Sequence, residues 1–207
     1  MDPPKLGCMQ QIFLIRHGET DWNVLRRLQG HSDIPLNANG TQQALSIQKD
    51  IHKLQLDKYF SSDLSRALKT AELATKSNGH IQTSPHLREV FLGDAEGLTH
   101  EEIQLRFGID IWKDWTQNDP QLFHTRFPGG ESKWEALHRF ENYILEQCQR
   151  FPRQKLGFFS HGLIMRSFIH KHNSELTEPF IVKNVQIVSM TLHDSKFLLQ
   201  SDTTSES

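Results

Sequence analysis

The chain has 207 residues, a formal net charge of −2 at pH 7 and a sequence isoelectric point of about 6.6. This length favours one domain, or at most two small ones, and the near-neutral charge argues against a dedicated nucleic-acid-binding protein, which would carry a basic face. Charged residues make up 23% of the chain and no run of 18 apolar residues occurs, so we expect neither wholesale disorder nor a membrane-spanning helix.

The first segment, residues 1–11, is predicted to be an N-terminal extension. It contains one lysine and no apolar run of the kind found in signal peptides. The two cysteines, Cys8 and Cys148, lie far apart without CxxC spacing, which is typical of neither a disulfide scaffold nor a zinc site. We therefore expect a cytoplasmic protein without a membrane partner.

From residue 12 onwards, short apolar runs alternate with helical stripes. Runs of strand length and composition predict strands at residues 12–15, 58–61, 156–159, 185–192 and 197–199. Apolar residues at helical spacing predict helices at residues 40–52, 65–76, 99–107, 132–151 and 163–172. The helix at 99–107 begins with a capping box, Thr99 and Glu102. In the helix at 132–151, Trp134 and Leu137 begin the stripe that is expected to face inward.

This alternation predicts an α/β fold. We expect a single domain over residues 12–200, with three layers (α/β/α) around a mostly parallel sheet. Residues 201–207 are small and polar and are predicted to form a flexible tail. Ligands of such sheets bind outside the carboxyl ends of the strands, so functional residues are expected directly after predicted strands.

Two of the predicted strands run into a histidine that is followed by glycine. The first leads into Arg16, His17 and Gly18, and the second leads into His161 and Gly162. If the two strands are neighbours, His17 and His161 lie over one pocket. Glycine after each histidine permits a sharp turn and is expected to leave room for a ligand.

The other close histidine pair, His170 and His172, is predicted to be solvated surface. Both fall on a predicted helix, where residues two apart do not share a face. We therefore predict no metal site there.

The segment Leu14 to Thr20 resembles the signature of the histidine phosphatase superfamily, in its phosphoglycerate-mutase-like branch. The resemblance continues in the family's order through residues 21–23, 29–30, 33–36, 40, 61–67, 87–89, 96–99, 128–132 and 160–162. These blocks span nearly the whole chain from residue 12 onwards. The resemblance implies a phosphoglycerate-mutase-like fold and catalysis through a phosphohistidine.

Within this resemblance His17 is the nucleophile and Glu89 is the proton donor and acceptor. A nucleophilic histidine must be neutral, and a neighbouring Arg16 disfavours its protonation. The substrate phosphate is expected to be bound by Arg16, Asn23, Gly30, Arg66 and His161. Guanidinium groups suit this task because they bind phosphate oxygens in a bidentate fork. No metal or other cofactor is predicted, because arginine and histidine supply the positive charge.

Residues 90–131 are expected to form a lid that determines specificity. The segment is short, aromatic and poor in cations, whereas cofactor-dependent mutases of the family carry a longer insertion with paired arginines. Aromatic residues spaced like these are more often lid core than substrate contacts. Ala95 stands where many relatives have a bulky aromatic, so it either widens the site or leaves a gap that Phe91 fills.

These features favour a phosphatase that acts on small phosphorylated metabolites, with no nucleic-acid partner and no indication of oligomeric state. One alternative is a cofactor-dependent phosphoglycerate mutase. The other is a non-catalytic or protein-phosphate-recognising module of the same fold.

Overall fold

The protein's structure, a computed structural model, describes residues 9–76, 80–117, 120–173, 175–176, 180–194 and 196–200. The predicted tail at 201–207, Cys8 and most of the predicted N-terminal extension lie outside the described residues. Within the described ranges, no helix is both long enough and apolar enough to cross a membrane.

The core element is a six-stranded, mostly parallel sheet, as predicted. Its strands are β1 (Gln10–Arg16), β2 (Lys58–Ser62), β3 (Ile81–Ser84), β4 (Leu156–Ser160), β5 (Ile187–His193) and β6 (Lys196–Leu199). They lie in the order β3-β2-β4-β1-β5-β6, and β5 runs antiparallel to both its neighbours. The sequence did not predict β3, whose two central residues are exposed and polar.

The helices flank this sheet. They are α1 (Asp21–Val24), α2 (Ala38–Ser46), α3 (Gln48–Leu54), α4 (Ser65–Thr75), α5 (His100–Phe107), α6 (Ile109–Thr116), α7 (Lys133–Arg150) and α8 (Gly162–His172). The single helix predicted at 40–52 is wrong. The chain leaves helical geometry at Ile47, where ψ is 1°, and forms α2 and α3 on either side. Ile47 and Ile51 both still pack into the apolar cluster beside the sheet.

Alternating side chains of β1 place apolar clusters on the two faces of the sheet. Ile12 and Leu14 join a large cluster with residues of α7 and α8, whereas Phe13 and Ile15 join a smaller one with residues of α3 and α4. Because successive strand residues point to opposite faces, the sheet is covered on both sides. This gives the three layers that the sequence predicts.

Candidate active site

The two histidines that follow predicted strands meet at one edge of the sheet. β1 and β4 are parallel neighbours, and Arg16 is paired in register with Ser160. The rings of His17 and His161, one residue further along each strand, have centroids 5.2 Å apart. Both are buried, with 3% and 0% of their surface exposed. The expectation that neighbouring strands bring them together is confirmed.

The space beside the two glycines is used by the protein itself. A Cβ atom on Gly18 would lie 2.5 Å from the carbonyl oxygen of Gly40. A Cβ on Gly162 would lie 2.8 Å from Nε of Arg16. The expectation of room for a ligand is corrected at Gly18, which instead lets the end of β1 pack on α2. Gly162 lines the cavity described below and also makes room for the guanidinium of Arg16.

The hydrogen bonding of His17 leaves Nε2 as its reactive nitrogen. Nδ1 lies 2.6 Å from the carbonyl oxygen of Gly18, which can only accept, so Nδ1 carries the proton and Nε2 carries the lone pair. The pKa of His17 lies well below its ordinary value of 6.5, first because of burial and then because of the charges of Arg66 and Arg16. A buried, neutral imidazole with a free lone pair is suited to attack an electrophile.

His161 is also neutral and oriented by a neighbour. Its Nε2 lies 2.9 Å from the hydroxyl oxygen of Ser62 at the end of β2. Burial, followed by the charge of Arg66, holds its pKa well below the ordinary value. Nδ1 is buried and has no hydrogen-bond partner within the described ranges. That nitrogen is therefore an unsatisfied polar atom in the residue next to the ring of His17.

Arg66, on α4, is a fully buried cation held by backbone carbonyls. Its Nη1 donates to Ser32 and its Nη2 to Gly30, each over 2.8 Å. Burial lowers the pKa of Arg66 to about 10. A buried cation is costly unless an opposite charge compensates it. The geometry therefore favours an anionic ligand next to this guanidinium.

Arg16, at the end of β1, places a second guanidinium beside His17. Its Nη1 donates to the carbonyl of Val182 over 2.7 Å, and its buried Nε has no hydrogen-bond partner in the described part of the chain. Burial lowers its pKa, and the charge of Glu89 opposes that shift. Arg16 and Arg66 thus flank His17 from two elements.

Glu89 lies at the N-terminus of α8. Its carboxylate accepts hydrogen bonds from the backbone N–H groups of Val90, Leu163 and Ile164 at 3.0, 2.9 and 2.8 Å. The family resemblance places Glu89 in the site, but the sequence does not reveal this contact with the helix start. The contact fixes the carboxylate beside the strand end that carries His161.

Asn23 and Gly30 contribute in different ways. Oδ1 of Asn23 accepts from the backbone N–H of Thr20 in a capping box, so its amide NH₂ is the group that faces a ligand. Gly30 has a φ of 53°, and its carbonyl binds Arg66. A Cβ there would lie 2.1 Å from Oε1 of Glu96, so a larger residue would displace that carboxylate. Gly30 acts by positioning Arg66.

These side chains surround one cavity of about 260 Å³. Six of the seven predicted site residues line the cavity, namely Arg16, His17, Asn23, Gly30, Arg66 and Glu89. The seventh, His161, does not line it and lies beside His17. The site prediction omitted three polar lining residues: Arg27, Gln29 and Arg166. The signal for Arg166 was available, because it lies four residues after Gly162 on the same helix face.

The aromatic residues of the lid belong to its core. Trp115, Phe123 and Phe127 are each no more than 3% exposed, and none lines the cavity, as the spacing predicted. Ala95 is fully buried in the same apolar cluster and does not widen the cavity. Phe91 instead packs against the ring of His31, with centroids 5.0 Å apart.

The prediction of solvated surface for His170 and His172 is wrong. Nε2 of His172 lies 3.3 Å from Oε1 of Glu141, and the side chain of His172 is 13% exposed. Nε2 of His170 accepts from the backbone N–H of Phe180. Within the described ranges, no group of three or more histidine, cysteine, aspartate or glutamate residues is placed to hold a metal ion.

Comparisons with known proteins show which family and which solved structures the chain is similar to. The model of the histidine phosphatase superfamily (branch 1) matches residues 12–203. A probable phosphoglycerate mutase GpmB from Salmonella choleraesuis is 37% identical over 164 residues, which cover 76% of this chain and 72% of that protein. The solved structure of Bacillus stearothermophilus YhfR is 28% identical, with a TM-score of 0.81 over 92% of this chain and 95% of that one. A mutant phosphoserine phosphatase from Entamoeba histolytica, in complex with phosphoserine, is 28% identical, with a TM-score of 0.78 over 95% and 98%.

Proposed function

Because the chain belongs to the histidine phosphatase superfamily, we propose that it is a phosphatase that hydrolyses small phosphomonoesters through a phosphohistidine at His17. One observation carries this proposal. The free Nε2 lone pair of a buried, neutral His17 lies among two buried guanidinium groups that backbone carbonyls, rather than carboxylates, hold in place. Such an arrangement fits an electrophilic anion.

In the first step, Nε2 of His17 attacks phosphorus and the bond from phosphorus to the ester oxygen breaks. Arg16, Arg66 and the amide of Asn23 stabilise the charge on the equatorial oxygens, and His161 donates a further hydrogen bond. Glu89 gives its proton to the departing ester oxygen. The products of this step are an alcohol, a phosphohistidine and a Glu89 carboxylate.

In the second step, water attacks the phosphohistidine. The Glu89 carboxylate takes a proton from the water as the phosphorus–nitrogen bond breaks, which releases inorganic phosphate and restores neutral His17. The arginine side chains supply the positive charge that this chemistry needs.

The lid favours a phosphatase over a mutase. Its two described arginines that could reach a substrate carboxylate are engaged elsewhere: Arg106 pairs with Asp94 and Arg126 with Glu135, and neither lines the cavity. A structural neighbour is named a phosphoserine phosphatase. The mutase remains the second candidate because the similar Salmonella protein is named a probable phosphoglycerate mutase.

The test is phosphate release from p-nitrophenyl phosphate between pH 4 and 8, with EDTA present. Wild type is expected to turn over and His17→Ala to be inactive, whereas His52→Ala, at an exposed histidine of α3, should match wild type. Turnover that persists in His17→Ala would contradict the mechanism. Wild type that releases no phosphate, yet converts phosphoglycerate when primed with bisphosphoglycerate, would establish the mutase instead.

A further inference from the structure

Arg166 is a cavity arginine that the proposed mechanism does not use. It lies on α8 and lines the cavity. Its Nε is buried and has no hydrogen-bond partner within the described ranges. Burial lowers the pKa of Arg166, while the nearby charge of Glu89 opposes that shift. The mechanism therefore leaves a third desolvated guanidinium beside the reacting groups.

No protein carboxylate neutralises Arg166 by direct pairing in the described part of the chain. The oxygens of Glu89 accept from three backbone N–H groups, and no hydrogen bond joins them to Arg166. Arg27, also on the cavity wall, shows the opposite situation, because its Nη1 lies 3.0 Å from Oε2 of Glu102. Arg166 is thus the cavity arginine outside the phosphate clamp that is left to bind a ligand.

A second cation adds to the positive potential around Arg166. Lys133, on α7, is fully buried, and its Nζ donates to the carbonyl of Gln117. Burial, followed by the charge of Arg166, lowers the pKa of Lys133 to about 7. Protonated Lys133 and Arg166 repel one another, and an anion beside Arg166 would relieve that repulsion.

The phosphate clamp and Arg166 are separate groups on the cavity wall. Backbone carbonyls hold Arg16 and Arg66 beside His17, where the proposed reaction places the phosphate. Arg166 lines the same cavity from α8, so its guanidinium is left for a second anionic group on the substrate.

We propose that Arg166 binds a carboxylate on the leaving group of the substrate, so that the enzyme prefers small phosphorylated acids to neutral phosphomonoesters. The preference in turnover rests on the proposed phosphatase function, whereas the binding site itself does not. The cavity also has an apolar wall, which includes Leu28, Leu92 and Leu163 and is suited to contact the carbon skeleton of the leaving group.

The test compares two stable phosphonates that differ only in the second group: 3-phosphonopropionate carries a carboxylate where propylphosphonate carries a methyl group. Calorimetry on wild type is expected to show about ten-fold tighter binding of 3-phosphonopropionate, the gain typical of a charge-assisted hydrogen bond. In Arg166→Met the two affinities should become equal within about two-fold, and Arg166→Lys should retain part of the preference. Arg106→Met, which removes an exposed lid arginine, should keep all of it.

Equal affinities in wild type, or an undiminished preference in folded Arg166→Met, would overturn the inference. Loss of the preference in Arg27→Met with retention in Arg166→Met would also overturn it, by assigning the carboxylate to another residue. Binding needs no turnover, so the two proposals fail separately. A wild type that shows the phosphonate preference but does not hydrolyse p-nitrophenyl phosphate would refute the phosphatase and leave the subsite standing.

Discussion

The neutrality of His17 and His161 is maintained by their surroundings and affects stability as well as chemistry. Both imidazoles are buried near Arg66, and both have a pKa well below 6.5. In the unfolded chain the same histidines take up a proton as the pH falls through 6.5. The unfolded state therefore binds more protons than the native state below that pH, and native stability falls there.

We predict that the free energy of unfolding decreases as the pH is lowered from 7 to 5, by up to about 1.4 kcal/mol per pH unit for each buried histidine. His17→Gln removes one of these groups and should make the decrease shallower by about that amount. Urea denaturation at pH 7, 6 and 5 measures both slopes. Parallel slopes for the variant and wild type would show that His17 titrates normally in the native state.

Arg139 is the residue that holds the backbone of Glu89. All five of its N–H donors are used: two groups bond to the carboxylate of Glu131, and the others bond to the carbonyls of His86, Arg88 and Glu89. The carbonyl of Glu89 also accepts from Nε2 of His31 over 2.8 Å. The proton-donating side chain is thus fixed through its backbone from α7.

We therefore predict that Arg139→Met lowers kcat by about 10- to 100-fold with little change in KM, because a misplaced general acid weakens the transition state more than substrate binding. Steady-state hydrolysis of p-nitrophenyl phosphate measures this split. Arg150→Met, at the exposed end of the same helix, is the matched control. A rise in KM at constant kcat would show that Arg139 acts on substrate binding.

At the scale of secondary-structure elements, apolar runs and a capping box correctly predicted two strands and the start of a helix. β1 and β4 are runs of apolar residues, and the capping box of Thr99 and Glu102 begins α5 as predicted. The prediction that Trp134 faces inward is wrong, because its side chain is 50% exposed and stacks on His138. The buried face of α7 instead begins with Lys133 and Ala136. A buried lysine beside an exposed tryptophan reverses the usual hydrophobic pattern, so periodicity alone misleads there.

The packing of α7 against α8 includes a charged cluster. Glu141 pairs with His172 at 3.3 Å and with Nζ of Lys171. Burial alone would raise the pKa of Glu141, but the nearby side chains of His172 and Lys171 hold it at about 2. A depressed carboxyl pKa contributes stability that is present above the unfolded value of about 4.5 and is lost as the pH falls towards 2.

Glu141→Gln is predicted to lower the free energy of unfolding at pH 7 by about 1 to 3 kcal/mol, because it leaves His172 and Lys171 without their counter-charge. The difference between variant and wild type should shrink as the pH is lowered from 4.5 to 2. Thermal or urea denaturation over this range measures it. A difference that does not vary with pH would attribute the loss to packing instead of charge.

For the molecule as a whole, the sequence indicated the position of the candidate site because His17 and His161 directly follow β1 and β4. The remaining site residues were predicted only from the family resemblance. Arg66 and Glu89 have no local mark of function, and their placement beside His17 depends on tertiary contacts with Gly30 and with α8. Arg139 was missed for the same reason. The carbonyls that it binds belong to His86, Arg88 and Glu89, and only the folded chain brings them together.

The lid segment, residues 90–131, shares one apolar cluster with the sheet. Phe127 is 1% exposed, its ring lies 5.0 Å from that of Trp115, and both belong to the cluster that contains Ile12 and Phe158. A lid that moved as an independent unit would have to expose these side chains. The shared core instead predicts that the lid and the sheet unfold together in one cooperative transition.

We predict that Phe127→Ala lowers the free energy of unfolding of the whole protein by about 3 to 5 kcal/mol, the cost of truncating a buried aromatic residue. Phe91→Ala, on the same segment but 36% exposed, should cost less than about 1.5 kcal/mol. Tryptophan fluorescence reports partly on Trp112 and Trp115 in α6, and far-UV circular dichroism reports on all helices and strands. The two urea transitions should coincide in wild type and in both variants. A fluorescence transition that precedes the dichroism transition would mean that the lid opens separately, and the site would then be assembled by closure rather than built into the fold.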